Sequence, residues 1–344
     1  MRNTHRDKIV VVGAGNVGEA IAYTLMVRVQ ANDIVLIDVN EDRAKGAAID
    51  IAHGTSFHKQ VWVRQGGYEE CRDAQIIIIT AGIARKPGQT RLELAKTNVS
   101  IVKSITENIM KYAENPLILV VSNPADITTM AVLETSGLPA NRVIGSGTSL
   151  DTARLRYNLS ARLHVNVEDI QAYIVGEHGD SQVAVFSSAT VGGFPLEEYA
   201  SQTGVVLDKE ELAEHTKNGG AEIIGLKGAT FYGVAMAVST IVETIMKDDS
   251  AILPVAHRLD DSFGAWAGAC LLYTSGLHAE PQKCLVFEDV PLGILAGKNA
   301  GMKVCAIEDA YSKKQEKQKR ELADWYVLDY FEVLEREGQK GACV

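Results

Sequence analysis

The sequence predicts an α/β protein, in which a doubly wound parallel sheet is followed by a mixed α/β domain and a β/α tail. Short runs of β-branched and aliphatic residues alternate with segments of helical periodicity, which is typical of βαβ units. The first of these runs leads directly into a glycine-rich turn. The 344 residues, 46% of them hydrophobic, are enough for two domains that each bury a core.

The first element is a buried strand over 8–12, followed by Gly13-Ala-Gly-Asn-Val-Gly18 and a helical apolar pattern that includes Val17. Gly13 allows the tight turn, Gly15 lets a pyrophosphate approach the backbone, and Gly18 lets the helix pack on the strand. The helix N-terminus offers N–H groups to phosphates. The alternative is an ordinary glycine-rich turn.

A second buried run, 34–37, ends at Asp38, twenty positions after Gly18. An acid at this distance accepts hydrogen bonds from the adenosine ribose hydroxyls, and its charge repels the 2′-phosphate of NADP. The sequence therefore predicts a Rossmann domain that binds NAD.

Composition limits the possible partners. A net charge of −10 argues against nucleic acid and anionic membranes. The five cysteines have no metal-ligand spacing, so we expect no metal site and a reduced, cytoplasmic protein. The N-terminus has no apolar signal core, and no run reaches transmembrane length.

The pattern continues with a helix over 41–52 and strands over 61–63, 75–80, 117–121 and 143–145, the last of which closes the first domain. Two of these strands end at Gly82 and at Ser122-Asn123, at the edge where such folds bind ligands. The basic segment 83–91, which we call the lid segment, precedes a helix that begins near Leu92. It is predicted to close over the site, and the alternative is a solvated connection.

In the second domain we expect strands over 170–175 and 182–186 and helices over 208–224 and 229–247. The motifs GAGNVG, TAGIARKPGQTR, VVSNP, IGSGTSLDTARLR and IVGEHGDSQ occur in the order and at the spacing of the NAD-dependent L-lactate/L-malate dehydrogenase family. Residues 7–264 resemble that family. The resemblance implies reversible hydride transfer between a 2-hydroxy acid and NAD.

The resemblance also implies roles for individual residues. His178 is similar to the family's acid/base, and Asp151 to the carboxylate that orients it. Arg154 resembles the residue that binds the substrate carboxylate, and Arg91 the arginine that polarises the reacting carbonyl. Taken singly, His178 could be structural, Asp151 could be a helix cap and Arg154 could be part of a surface ion pair. Asn123 and Thr230 look like further substrate or nicotinamide contacts.

Arg85 stands where the family contacts the substituent of the keto acid, six positions before Arg91. Lactate enzymes usually carry Gln there and malate enzymes Arg, so the resemblance implies that Arg85 favours malate and oxaloacetate. The surrounding motifs look more lactate-like, and L-lactate dehydrogenase is the alternative. The positions that match a fructose 1,6-bisphosphate site carry Arg156 and Gln171, and without the family's histidine we expect no such activation.

From 276 onward the sequence resembles the last part of haloacid-dehalogenase-type phosphatases, on the segments Lys283–Asp289, Gly293–Val304 and Ala323–Leu328. Glu288 and Asp289 would match its acidic Mg²⁺ pair. No DxDxT-like nucleophile segment precedes them, so no phosphatase activity is expected.

We therefore divide the chain into a Rossmann domain (1–147), a substrate domain truncated at its C-terminal end (148–265), a junction (266–275) and a fragment resembling haloacid dehalogenases (276–344). The junction resembles a translated adaptor end from sequencing libraries, which suggests a chimera. The family resemblance implies a homo-oligomer, which the truncation would disturb. The alternative function is an NAD-binding protein without turnover.

Overall fold

The computed structural model describes residues 7–29, 31–83, 91–179, 181–258, 270–272, 285–288, 294, 298, 303–308 and 315–327. The chain divides into two compact units. The first comprises Met1–His257 with Cys270–Tyr273, and the second comprises Arg258–Ala269 with Thr274–Val344.

The first unit contains an eight-stranded sheet. Its strands are β1 (Lys8–Val12), β2 (Asp33–Ile37), β3 (Trp62–Gln65), β4 (Ile76–Ile79), β5 (Leu117–Val120), β6 (Val143–Gly145), β10 (Pro254–Ala256) and β11 (Cys270–Leu272). The strand order is β11-β10-β6-β5-β4-β1-β2-β3, and β1 to β6 are parallel. The order of the six parallel strands is that of a Rossmann sheet, which confirms the predicted fold class.

Eight α-helices of this unit lie within the described residues. They are α1 (Asn16–Arg28), α2 (Glu41–Gly54), α3 (Arg91–Met110), α4 (Ala125–Ser136), α5 (Ser149–Leu163), α6 (Leu196–Thr203), α7 (Lys209–Lys227) and α8 (Tyr232–Met246). Among the described residues, no helix combines the length and the hydropathy that a membrane crossing requires.

The four isoleucines of β4 explain why this strand is central. Ile76 and Ile78 lie in a core cluster with residues of α1 and α8, whereas Ile77 and Ile79 lie in a second cluster with residues of α3 and α4. Successive side chains of a strand point to opposite faces, and here both faces are covered by helices. Because both faces of β4 are buried, its sequence is a continuous apolar run.

A second sheet lies in the part of the chain that contains His178. It is antiparallel and contains β7 (Ile170–Val175), β8 (Val183–Val191) and β9 (Phe194–Pro195) in that order. Leu155, Leu159 and Leu163 of α5 form a core with Ile170 and Ile174 of β7. This packing places the start of α5 beside the end of β7.

Several predicted boundaries differ from the structure. Strand β8 continues to Val191, beyond the predicted 186. Helix α8 begins at Tyr232 rather than 229, because α7 ends at Lys227 and is capped by Gly228, whose φ is 85°. Strand β6 is not the end of the first sheet, since β10 pairs with it and β11 pairs with β10, both antiparallel.

The second unit has a sheet of its own. Strands β12 (Leu285–Glu288), β13 (Lys303–Ile307) and β14 (Trp325–Val327) are parallel, and α9 (Glu316–Leu322) precedes β14. Its core includes Ile294, Val304 and Ala306. The described part of the tail is thus a β/α segment, as predicted.

Candidate active site

The glycine-rich turn joins β1 to α1 in a conformation that excludes larger residues. Gly13 has φ of 110°, a region that L-residues rarely adopt, and its N–H donates to the carbonyl oxygen of Ile37 at 2.7 Å. A Cβ atom on Gly18 would lie 1.8 Å from the carbonyl oxygen of Gly13. The hydroxyl of Thr80 donates to the same carbonyl at 2.9 Å. These contacts hold α1 against the strand edge, as the sequence predicted for Gly13 and Gly18.

Gly15 differs from its neighbours because it faces open space. Apart from Gly15 itself and its two chain neighbours, no atom of the described residues lies within 4 Å of a Cβ built on it. Gly15 is also the N-cap of α1, which has no side-chain cap. The N–H groups of the first helical turn therefore have room for an anionic ligand. Val17 is half-buried and packs against the core, so its side chain supports the turn.

Asp38 follows β2 and its carboxylate is held by backbone groups. Oδ2 accepts from the N–H of Ala14 at 2.6 Å, and Oδ1 accepts from the N–H of Asn40 at 2.8 Å. An ionised carboxylate accepts about four hydrogen bonds, so capacity remains for ribose hydroxyls. Tyr68, which the sequence analysis missed, lies near this carboxylate; burial, followed by the charges of Cys71 and Asp38, raises the pKa of its phenol. The open glycine cradle and the fixed acid fit a dinucleotide.

The ends of β4 and β5 meet beside this cradle. Gly82 is exposed, whereas Ser122 is buried and its hydroxyl donates to the carbonyl oxygen of Ala81 at 2.6 Å. The Ser122 side chain therefore braces the strand ends. Asn123, next in the chain, is exposed at the same edge.

Asn98 of α3 joins these segments, and the sequence analysis missed it. Its side chain is 2% exposed. It accepts from the N–H of Ile83 at 2.9 Å and donates to the carbonyl oxygen of Asn123 at 2.7 Å. The start of the lid segment and the Asn123 loop are thus held by one buried amide.

His178 and Asp151 form the centre of the site. Nδ1 of His178 lies 2.6 Å from Oδ2 of Asp151, whose carboxylate is 2% exposed. The other oxygen, Oδ1, accepts from Nη1 of Arg154 at 2.9 Å. One buried carboxylate therefore holds two of the side chains that were predicted to act on the substrate.

This arrangement also sets the state of the imidazole. An ionised carboxylate only accepts, so Nδ1 carries the proton and Nε2 is left to exchange one with a ligand. The hydrogen bond to Asp151 raises the pKa of His178 above its ordinary value, burial opposes the rise, and the charge of Asp126 adds to it. The imidazole is 29% exposed, so it remains accessible.

Two threonines fix α5 against β7, and neither was predicted. The Thr148 hydroxyl donates to the carbonyl oxygen of Ile174 at 2.6 Å, and the N–H of Ile174 donates to the Thr152 hydroxyl at 2.9 Å. Since Asp151 lies between the threonines and His178 follows β7, these bonds set the carboxylate–imidazole distance.

Helix α7 packs over the guanidinium of Arg154. A Cβ atom on Gly220 would lie 3.4 Å from Nη2 of Arg154, and one on Gly219 would lie 3.5 Å from its Cδ.

Thr230 is half-buried in the connection between α7 and α8. In the same connection, Nζ of Lys227 lies 3.9 Å from the ring centroid of Phe231.

Most of the lid segment lies outside the described residues. Arg85 lies outside the described residues, and so does the side chain of Arg91, whose backbone begins α3. Both assignments remain predictions.

The guanidinium of Arg156 interacts with neighbouring groups of the protein itself. Its Nε donates to the carbonyl oxygen of Ala172 at 2.9 Å, its Nη2 lies 3.4 Å from Oε1 of Gln171, and its guanidinium lies 5.0 Å from the ring centroid of Tyr173. Within the described ranges, no three or more His, Cys, Asp and Glu side chains cluster as metal ligands.

Comparisons with known proteins agree with this geometry. The profile of the lactate/malate dehydrogenase NAD binding domain matches residues 7–145, and that of the lactate/malate dehydrogenase alpha/beta C-terminal domain matches residues 148–322. L-lactate dehydrogenase 1 of Clostridium acetobutylicum is 45% identical over 260 residues, which cover 75% of this chain and 83% of that protein.

Two solved structures are also similar. The ligand-bound minor L-lactate dehydrogenase of Enterococcus mundtii has a TM-score of 0.75 and 42% identity, covering 78% of this chain and 86% of that one. The apo malate dehydrogenase of Picrophilus torridus has a TM-score of 0.72 and 34% identity, covering 77% and 84%. The chain therefore belongs to the lactate/malate dehydrogenase family of NAD-dependent 2-hydroxy-acid dehydrogenases.

Proposed function

We propose that the chain oxidises a small 2-hydroxy acid reversibly, with malate preferred to lactate, and that His178, Asp151 and Arg154 act on the substrate. The contact of His178 and Arg154 with one buried carboxylate carries the proposal. The glycine turn and Asp38 would hold NAD, which would supply the hydride acceptor for the carbon that bears the hydroxyl. The protein must then remove the hydroxyl proton.

The proposed proton path runs through the imidazole. Nε2 of His178 takes the hydroxyl proton during oxidation and returns it during reduction, while Asp151 stabilises the imidazolium. Arg154 has five N–H donors, of which Asp151 uses one, so the guanidinium retains donors for a bidentate pair with the substrate carboxylate. Asp151 thus fixes the distance between the proton acceptor and the carboxylate anchor.

The preference for malate rests on Arg85. A guanidinium there would pair with the second carboxylate of oxaloacetate, whereas pyruvate would leave it unpaired. An unpaired buried polar group costs about 1–3 kcal/mol, and a charged group costs more. Relatives named L-lactate dehydrogenase favour the other substrate, and lactate is therefore the alternative.

The two substrates can be separated by steady-state kinetics of NADH oxidation with oxaloacetate and with pyruvate. We expect the wild-type kcat/KM to be higher for oxaloacetate, and Arg85→Gln to move the preference towards pyruvate. The neighbouring Lys86→Gln variant removes the same charge and is the control. Equal ratios in all three proteins would remove Arg85 from the specificity argument.

The cofactor-binding roles of Gly13, Gly15, Gly18, Asp38 and Gly82 are part of the same proposal. The open space beside Gly15 and the remaining acceptor capacity of Asp38 support them. Ser122 and Val17 are proposed to act by bracing the site, because their side chains contact the protein.

A second candidate is a dinucleotide-binding protein without turnover. The separate parallel sheet of the tail favours it, since β12 to β14 lie in a compact unit distinct from the substrate domain. NADH binding without oxidation by either keto acid would support this candidate.

We also propose that 276–344 comes from a phosphatase-like protein, joined at 266–275 to the dehydrogenase. The separate sheet supports this origin, and so does the extent of the match to the curated relative, 75% of the chain. The C-terminal family profile, which reaches residue 322, argues the other way. Sequencing source DNA across 255–290 decides, because an uninterrupted reading frame would exclude an artificial join.

Assembly and location complete the proposal. A homo-oligomer is supported by apolar side chains that α7 leaves exposed, Ile224 and Leu226 among them, and light scattering would measure its size. A reduced, cytoplasmic setting is supported by Cys71, a free and buried thiol.

A further inference from the structure

Asp126 lies in the first turn of α4, three residues after Asn123, and contacts a segment 52 residues away. Its Oδ2 accepts from the backbone N–H of His178 at 3.0 Å. An acid in a first helical turn is ordinarily explained by the helix dipole. That explanation does not require a bond to the loop between β7 and β8.

The carboxylate is also in an unusual environment. Oδ1 is buried and has no hydrogen-bond partner among the described residues. Burial raises the pKa of the Asp126 carboxyl, the bond from the His178 N–H and the imidazole charge oppose the rise, and Glu177 adds to it. A solvated surface acid has neither feature.

We propose that Asp126 is a positioning residue. It connects the segment between β7 and β8, which carries His178, to the loop between β5 and α4, which carries Asn123, and it keeps a second negative charge beside the imidazole. The proposal rests on the proposed role of His178 as proton acceptor. Through Asp126, the end of β5 and the end of β7 are connected by a single side chain. Asp151 fixes the ring from its Nδ1 side, and Asp126 fixes the backbone that carries the ring.

The charges around His178 set the direction of the electrostatic effect. Asp151 and Arg154 face it from α5, and Asp126 faces it from α4; the two acids raise the pKa of the imidazole and the guanidinium lowers it. Glu177, on the same segment, acts on Asp126 and bonds to the Ser181 hydroxyl at 2.6 Å. Loss of the Asp126 charge should therefore lower the pKa of His178.

Two substitutions separate charge from position. Asp126→Asn retains an oxygen that accepts from the His178 N–H but removes the charge, whereas Asp126→Ala removes both. We expect Asp126→Asn to lower the pKa of His178, because the charge that raises it is lost. Asp126→Ala should in addition lower kcat at every pH on the order of 10- to 100-fold, because it frees the segment. Glu210→Gln, at an exposed first-turn acid of α7, is the control.

The first measurement is a histidine-labelled NMR titration of the full chain with NADH, and the His178 signal is identified by its absence in His178→Asn. It reports the imidazole pKa whether or not the protein turns over. The second is the pH profile of keto-acid reduction, whose alkaline fall should move to lower pH in Asp126→Asn.

The outcomes distinguish the two proposals. An inactive wild type whose His178 pKa still falls in Asp126→Asn would contradict the proposed function and keep the role of Asp126. An active wild type whose Asp126→Asn variant has the wild-type pKa and pH profile would overturn the role of Asp126 and leave the function standing. If Asp126→Ala alone failed to fold, the test would still stand, because the comparison of Asp126→Asn with the wild type decides it.

Discussion

Oδ2 of Asp151 lies 2.6 Å from Nδ1 of His178, and the aspartate is buried while the imidazole is partly exposed. The two residues come from different elements, since Asp151 is in the first turn of α5 and His178 follows β7. A buried acid that contacts an accessible imidazole is suited to hold the ring in one tautomer and to stabilise its protonated form.

Replacement of Asp151 by Asn should therefore change the pH dependence of the reaction. The hydrogen bond to Asp151 raises the pKa of His178, so its loss lowers that pKa. Keto-acid reduction needs the protonated imidazole, and its alkaline fall should move to lower pH. Hydroxy-acid oxidation needs the neutral imidazole, and its acidic fall should move in the same direction. We expect kcat for reduction near neutral pH to decrease roughly 100- to 10,000-fold. An unchanged pH profile would exclude Asp151 as the residue that sets this pKa.

The glycine turn permits a paired test of the cofactor site. Gly15→Ala adds a methyl group where, chain neighbours aside, no atom of the described residues lies within 4 Å. The free energy of unfolding should therefore change by less than about 0.5 kcal/mol. NADH should bind at least about 10-fold more weakly, a loss of about 1.4 kcal/mol, because the methyl group occupies the space of the pyrophosphate.

Gly18→Ala is the contrasting variant. Its methyl group would lie 1.8 Å from the carbonyl oxygen of Gly13, so we expect a loss of stability of about 1–3 kcal/mol or more. Denaturant unfolding and NADH fluorescence titration measure both effects. If Gly15→Ala bound NADH as tightly as the wild type, the dinucleotide would not lie on this turn.

Arg91 provides a test of the lid segment. A guanidinium that polarises the reacting carbonyl acts mainly in the transition state, and loss of one such donor costs on the order of 100- to 1000-fold in turnover. Arg91→Gln should therefore reduce kcat strongly and leave NADH affinity nearly unchanged. Stopped-flow measurement of a single turnover separates this effect from product release. A wild-type kcat in this variant would indicate an ordinary surface loop.

The parallel sheet was predictable because its central strands β1, β2 and β4 are fully buried and read as nearly continuous apolar runs. β4, with four isoleucines, has no other plausible place than the centre of a sheet. The addition of β10 and β11 to the edge was not predictable, since each has only three residues and neither has a distinctive pattern. Their pairing depends on a long-range contact that the local sequence does not encode.

The candidate site was predictable where residue type and motif coincide, as for His178, Asp151 and Arg154. Asn98 and Asp126 were missed because each lies in a helix, where an amide or an acid usually faces solvent. Their hydrogen bonds reach loops that are 25 and 52 positions away in the chain. Only the folded arrangement of α3 and α4 brings these side chains to the site.

The most direct test of the account is the His178→Asn variant. Asparagine is shorter than histidine and does not ionise, so it cannot exchange the substrate proton, while the glycine turn and Asp38 are unaffected. NADH oxidation is measured with oxaloacetate and with pyruvate, and NADH binding is measured in parallel. We expect the wild type to turn over and His178→Asn to lose at least about 100-fold in turnover. Both proteins should bind NADH with similar affinity. Turnover of His178→Asn at the wild-type rate with either keto acid would contradict the account.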